Sequence, residues 1–282
     1  MIRIVVPGAL VTCLAFAVSA AQDTPRFEVA SIKINTSGDT AKAMGPEPGG
    51  RFGARNVPLR DLLAIAYGIP PTFAGVRVGG GPSWIDAARF DVQAKAEGEL
   101  PPAQIALRVR ALLADRMGVT AHWERRDLPV YVLELAKRDR SFGPSLRRSI
   151  IDCNALRETA RRRAAGVAPP RGGGVCTGRS IPGSITGSAL TIDTLANSLA
   201  RFAGRIVQND TGLSGSYDFE LHWTPAPEQI PPLPPGVPPP QFDPNGPSLF
   251  TAIQEQLGLK LDARRGPVDV LVVDSAVRPM PD

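Results

Sequence analysis

Apolar residues recur every three or four positions in four stretches of the chain, the spacing of one helix face. In the first, Leu59, Leu62, Leu63 and Ala66 share a face, and Pro58 suits the first helical position. The second follows Pro101-Pro102 and carries Ile105, Val109, Leu112, Leu113 and Met117. The third has Thr191 as N-cap and turns Ile192, Leu195, Leu199 and Phe202 inward. The fourth has Ser248 as cap, with Leu249, Phe250, Ile253 and Leu257 inward. Each stretch ends at a glycine, Gly68, Gly118, Gly204 or Gly258, the residue that takes a left-handed C-terminal position without a Cβ clash. Alternating patterns predict strands over residues 27–34, 51–56, 89–96, 119–125 and 130–136, then 184–190, 205–208, 217–223, 259–263 and 268–274. A further short strand is expected at 75–78.

These elements fall into two ordered sets. Met117-Gly118-Val119-Thr120-Ala121 leads to Pro129-Val130-Tyr131-Val132-Leu133, as Leu257-Gly258-Leu259-Lys260-Leu261 leads to Pro267-Val268-Asp269-Val270-Leu271. Upstream, Phe90-Asp91-Val92-Gln93 parallels Tyr217-Asp218-Phe219-Glu220. The expected fold is α+β: two tandem β-α-β-β-α-β-β modules, each with helices packed on a small mixed or antiparallel sheet. The corresponding organisation is a signal peptide at 1–21, a first half at 22–137, an Arg/Gly/Pro-rich linker at 138–183 and a second half at 184–282. A Pro-rich insertion at 225–247, with Pro231-Pro232-Leu233-Pro234-Pro235, reads as a stiff polyproline II loop inside the second half.

The first residues change the compartment. Arg3, an apolar run from Ile4 to Val18 and the small residues Ser19, Ala20 and Ala21 follow the order of a secretory signal. Cleavage after Ala20 or after Ala21 fits. The run is too short to span a bilayer comfortably, and no later apolar stretch is long enough. The expected location is therefore periplasmic or extracellular. Of the three cysteines, Cys13 leaves with the signal. Cys153 and Cys176 remain, and in an oxidising compartment the pair reads as a disulfide rather than as two free thiols.

The formal charge of +5 is unevenly placed, with Arg147, Arg148, Arg157, Arg161, Arg162, Arg163, Arg171 and Arg179 in one stretch. Such a run is usually solvated surface. The sharper alternative is weak attraction to acidic polymers or lipid headgroups. No aromatic residues interleave these arginines, so a nucleic-acid partner is not expected.

Candidate chemistry is sparse. His122 and His222 both lie in strand patterns beside Trp123 and Trp223, without metal-ligand spacing, so no metal or cofactor is expected. Gly212-Leu213-Ser214-Gly215-Ser216 precedes a strand and reads as a turn rather than a nucleophile elbow. Asp91 and Asp218 occupy matching places. A paired acid/base role stands against a structural one, in which they cap turns or pair with an arginine such as Arg60 or Arg89.

The segments Phe27-Glu28-Val29-Ala30-Ser31-Ile32-Lys33, Asn56-Val57-Pro58-Leu59-Arg60-Asp61-Leu62-Leu63, Gly81-Pro82-Ser83-Trp84 and Ser248–Gly258 resemble a large paralogous family of exported proteins. This Solibacter-type family is expanded in Acidobacteria and has no established function. Relatives of the domain are attached to membrane metallopeptidases of the β-lactam-sensor type. The resemblance implies no catalytic or binding residues. A looser similarity, carried by residues 56–63 and the element order, links the chain to the short N-terminal domains of secretins and TonB-dependent receptors, which are periplasmic protein–protein modules. The expected function is accordingly a non-enzymatic envelope or extracellular interaction module with an envelope protein partner. The alternatives are an envelope hydrolase using His122 or His222, and a small-ligand-binding protein with a cleft between the halves.

Overall fold

The computed structural model describes residues 25–151, 153, 156, 176–230 and 240–279. The signal segment at 1–21 and most of the Arg-rich stretch lie outside the described residues. In chain order the elements are β1 (Val29–Ile34), β2 (Ala43–Glu47), β3 (Arg51–Pro58), α1 (Leu59–Ala66), α2 (Ala74–Arg77), β4 (Val78–Gly80), β5 (Arg89–Lys95), α3 (Pro102–Met117) and β6 (Thr120–Leu135). There follow β7 (Leu146–Arg148), β8 (Gly178–Ile181), β9 (Ser184–Leu190), α4 (Ile192–Ala203), β10 (Val207–Asn209), β11 (Tyr217–His222), α5 (Leu249–Ala252, continued by a π-helical turn to Leu257) and β12 (Leu259–Ser275). The class is α+β, with small antiparallel and mixed sheets.

The chain forms two compact units that do not coincide with its sequence halves. One comprises Met1–Gly68, Pro82–Thr120 and Ser275–Asp282, and the other Ile69–Gly81 and Ala121–Asp274. The first unit holds one antiparallel sheet in the order β1-β5-β3-β2. Phe52, Val57, Phe90 and Val92 are buried, as are the predicted faces of α1 (Leu59, Leu62, Leu63, Ala66) and α3 (Ile105, Val109, Leu112, Leu113, Met117).

The second unit holds two sheets. One is antiparallel, in the order β7-β11-β9-β8. Ile192, Leu195 and Leu199 of α4 are buried, as are Leu249, Ile253 and Leu257 of the α5 stretch. The other is mixed, in the order β10-β6-β12-β4. Here strands cross between the sequence halves: β4 runs parallel to β12, and β10 runs parallel to β6. Val130, Val132, Val268 and Val270 form one buried cluster on it.

Several expectations are corrected by these pairings. Residues 119–125 and 130–136 are not two strands joined by a turn but the single strand β6, and 259–263 and 268–274 are the single strand β12. The polar runs before Pro129 and Pro267 look like turns, yet both prolines fit inside a strand. Tyr131 N–H donates to Ile206, so Pro129, two residues earlier, turns its missing donor to the same side, where β10 has not begun. Pro267 is six residues before Val273, whose carbonyl accepts from Gly81, and β4 pairs only with Leu271–Val273. The strand expected at 75–78 is mostly the short helix α2, with β4 after it. Phe250 is 41% exposed rather than inward, and packs edge-to-face on Tyr131 at 5.3 Å. Residues 146–148 and 178–181, in the stretch expected to be linker, are strands β7 and β8.

The capping predictions have direct counterparts. Thr191 Oγ1 accepts from Thr194 N–H at 3.3 Å and Ser248 Oγ from Thr251 N–H at 3.2 Å. Gly118, Gly204 and Gly258 close their helices at φ between 55° and 72°.

Candidate functional site

An edge strand exposes unpaired backbone groups, so its length and side chains decide whether another chain can join it. β4, β7 and β10 have three residues each and β8 has four. β2 has five but contains Pro46. β1 has six, Val-Ala-Ser-Ile-Lys-Ile, with neither Gly nor Pro.

Its register fixes what it presents. Asn35 N–H donates to Arg89 O at 2.8 Å, and β1 pairs in register with β5 from Val29↔Lys95 to Ile34↔Phe90. By the two-residue period, Val29, Ser31 and Lys33 direct their backbone bonds to β5. The N–H and C=O of Ala30, Ile32 and Ile34 therefore face the outer edge, which no strand occupies among the described residues. Ile32 is buried, whereas Ile34 is 46% exposed at the strand end, and Val29, on the opposite face, is 70% exposed. Beside this edge a groove of about 500 Å³ runs between β1 and α3, lined by Phe27, Glu28, Ala30, Leu112 and Arg116 and bridged by the Arg26–Asp115 ion pair at 3.2 Å. An edge strand beside a helix, with a mainly polar groove between them, can accept an extended peptide: main-chain bonds supply affinity and the groove takes alternate side chains.

The two aspartates singled out from the sequence perform one structural task twice. Between Ala54 and Val57 the β3–β5 register shifts, so Arg55 and Asn56 face the single residue Asp91. Between Tyr217 and Phe219 the β9–β11 register shifts likewise, and Ser188 and Ala189 face Asp218. The second residue of each bulge is left-handed, Asn56 at φ 56° and Ala189 at φ 54°. Its N–H donates to the carboxylate, at 2.8 Å for Asn56 to Asp91 and 2.9 Å for Ala189 to Asp218. Asp91 also accepts from Asn35 Nδ2 at 2.8 and 3.0 Å, and not from Arg60, which makes a two-point pair with Asp86. Burial pushes the Asp218 carboxyl up. The Ala189 N–H, the Ser149 hydroxyl and Arg147 outweigh it and hold the carboxyl below its ordinary value.

The histidines are not brought into one site. His122 Nδ1 lies 2.9 Å from Asp274 Oδ1, and His222 Nε2 lies 2.8 Å from Glu220 Oε1, all four side chains being well exposed. The His222 backbone is clamped by Gln256, whose Nε2 donates to its carbonyl at 2.7 Å and whose Oε1 accepts its N–H at 2.9 Å. Cys153 and Cys176 form a disulfide with Cα atoms 5.7 Å apart. Of the Arg-rich stretch, Arg147 pairs with Asp218 and Arg148 stacks on Tyr217, while Arg157, Arg161, Arg162, Arg163 and Arg171 lie outside the described residues. Among the described residues no group of three His, Cys, Asp or Glu side chains is placed to hold a metal ion, and no helix is long and apolar enough to cross a membrane.

A family model described as protein of unknown function (DUF3738) matches residues 60–276. The chain belongs to this family. No curated protein and no solved structure is significantly similar to it. Within this DUF3738 chain both bulge-holding aspartates lie inside the matched residues, whereas β1, β2 and β3 precede them. Sequence reasoning passed over the β1 edge, because a strand's place at the border of a sheet is set by its partners and has no signature of its own.

Proposed function

We propose that this DUF3738 protein is an exported, non-enzymatic interaction module that captures an extended protein segment by strand addition to β1. The observation that carries this reading is the sheet edge itself: the backbone N–H and C=O groups of Ala30, Ile32 and Ile34 directed away from β5, beside the groove between β1 and α3. The disulfide agrees with an oxidising compartment. We further propose that the chain arose from two related halves of the secretin-N-like kind. Support comes from the paired Asp-held bulges, the common strand orders β1-β5-β3-β2 and β7-β11-β9-β8, and the short parallel strands contributed to the mixed sheet. Ten residues separate Gly118 from Pro129 and eight separate Gly258 from Pro267. The difference is even, so every side chain in the two long strands keeps its face.

A photo-crosslinking residue at position 29, on the exposed face of β1, tests the capture reading in the native envelope. A discrete protein adduct that disappears when Ala30 is also replaced by Pro is the expected result. An adduct indifferent to that substitution overturns it. So does a hydrolytic turnover of the purified protein that either His122→Ala or His222→Ala abolishes.

A further inference from the structure

We infer that the segment best fitted to the β1 edge is the β1 of a second copy of this chain, paired antiparallel about a twofold axis at Ile32. The inference rests on the strand-addition reading and names its partner. A twofold axis through an antiparallel strand pair sets each residue i opposite a residue j with a constant sum. The open-edge residues Ala30, Ile32 and Ile34 are centred on Ile32, so Ile32 meets Ile32 of the second copy and Ala30 meets its Ile34. All three positions in each copy then exchange N–H and C=O, giving about six new main-chain hydrogen bonds. The two four-stranded sheets join into one, and the exposed edge disappears.

Side-chain size and charge agree with this register. Ala30 is the small residue on the helix-facing side of β1 and lines the groove with Phe27 and Leu112. Ile34, on the same side and four residues on, is 46% exposed. The twofold pairing brings the large, uncovered Ile34 of each copy to the small Ala30 of the other, at the mouth of a groove of about 500 Å³. On the outer face Lys33 falls opposite Ser31 of the second copy, so no like charges stand directly across the new pair. A lysine on a strand edge ordinarily discourages pairing, and in this register it stands across from a serine.

Sedimentation equilibrium of the exported, disulfide-intact protein over a wide concentration range reads the result. It is combined with amide hydrogen exchange at residues 30, 32 and 34. Two variants accompany the wild type. Ala30→Pro removes an N–H that points to the open edge and makes no bond within the sheet. Ile34→Lys charges an exposed side chain and keeps the test valid if the proline variant does not fold. The expected result is a dimer whose dissociation constant rises at least tenfold in either variant, with slow exchange at the three amides in the wild type only. A monomer with fast exchange overturns the second copy but leaves an open edge for a foreign strand. A monomer with slow exchange overturns both readings, because the chain then covers its own edge. A dimer unchanged by both variants places the contact elsewhere and overturns the inference.

Discussion

The sheet β1-β5-β3-β2 and the sheet β7-β11-β9-β8 share strand order, antiparallel pairing and an aspartate-held bulge, yet they finish their edges differently. Where the first has the six-residue β1, the second has the three-residue β7, Leu-Arg-Arg. Arg147 of β7 is paired with Asp218, and Arg148 lies over Tyr217. The chain that leaves β7 and returns to β8 is closed by the Cys153–Cys176 bond. Short charged edges cannot template another strand, and a covalent closure compensates for the few hydrogen bonds they make. The longer β1 makes six paired positions with β5 and has no disulfide beside it among the described residues. The two sheets thus share a strand order and differ at this border, one short, charged and next to a disulfide, the other twice as long and mostly apolar.

The largest effect that tests this contrast is loss of the disulfide. Replacing both Cys153 and Cys176 with Ser opens a loop of 23-residue separation and should lower stability by about 3 kcal/mol. Denaturant unfolding measures the loss, and hydrogen exchange should locate it in β7, β8 and β9 while β1, β3 and β5 stay protected. Uniform loss of protection in both sheets would remove the claim that the bond serves the short edges.

The bulges come next. Asp91→Ala strands the Asn56 N–H and releases Asn35, and should cost about 2–3 kcal/mol. Asp218→Ala strands the Ala189 N–H and should cost about 1–2 kcal/mol. Equilibrium unfolding of the two variants ranks them, and equal effects below 0.5 kcal/mol (about the error of such measurements) would deny both carboxylates a structural role.

Acid should act on the second sheet through Asp218. Asp218 has a folded pKa below its unfolded one, so its contribution is fully present above the ordinary carboxylate range. It is lost as the pH falls from that range through the depressed folded value. Wild type and Asp218→Asn should therefore differ in stability at pH 7 and converge toward pH 2. A difference that persists unchanged at low pH would show that the charge is not what matters.

The smallest effect concerns Ala189, which holds a left-handed conformation that Asn56 tolerates better. Ala189→Gly relieves that strain at the cost of a more flexible unfolded chain, and should stabilise by about 0.5 kcal/mol. A lower melting temperature for this variant would mean the methyl group packs more favourably than the strain costs.

Much of the local structure was legible in the sequence because its causes are local. The apolar spacing of residues 105–117 has one helical face to fill, Thr191 and Ser248 carry oxygens one helical turn before an unpaired N–H, and Gly118, Gly204 and Gly258 lack the Cβ that a left-handed turn excludes. The matching aspartates were visible as a pattern, though their task was not, since the bulges they hold are defined by a neighbouring strand. Only the tertiary structure made strands of Ala43–Glu47, Leu146–Arg148 and Gly178–Ile181, whose Gly, Pro and Arg residues give no alternation and which are ordered by pairing alone. It alone merged the two apparent hairpins into β6 and β12, by placing Pro129 outside the residues that pair with β10 and Pro267 outside those that pair with β4. And it alone decided that β1 stands at an edge. The sequence determined which way each side chain of Val29–Ile34 points, whereas the presence of β5 on one side and, among the described residues, of no strand on the other is a property of the assembled sheet.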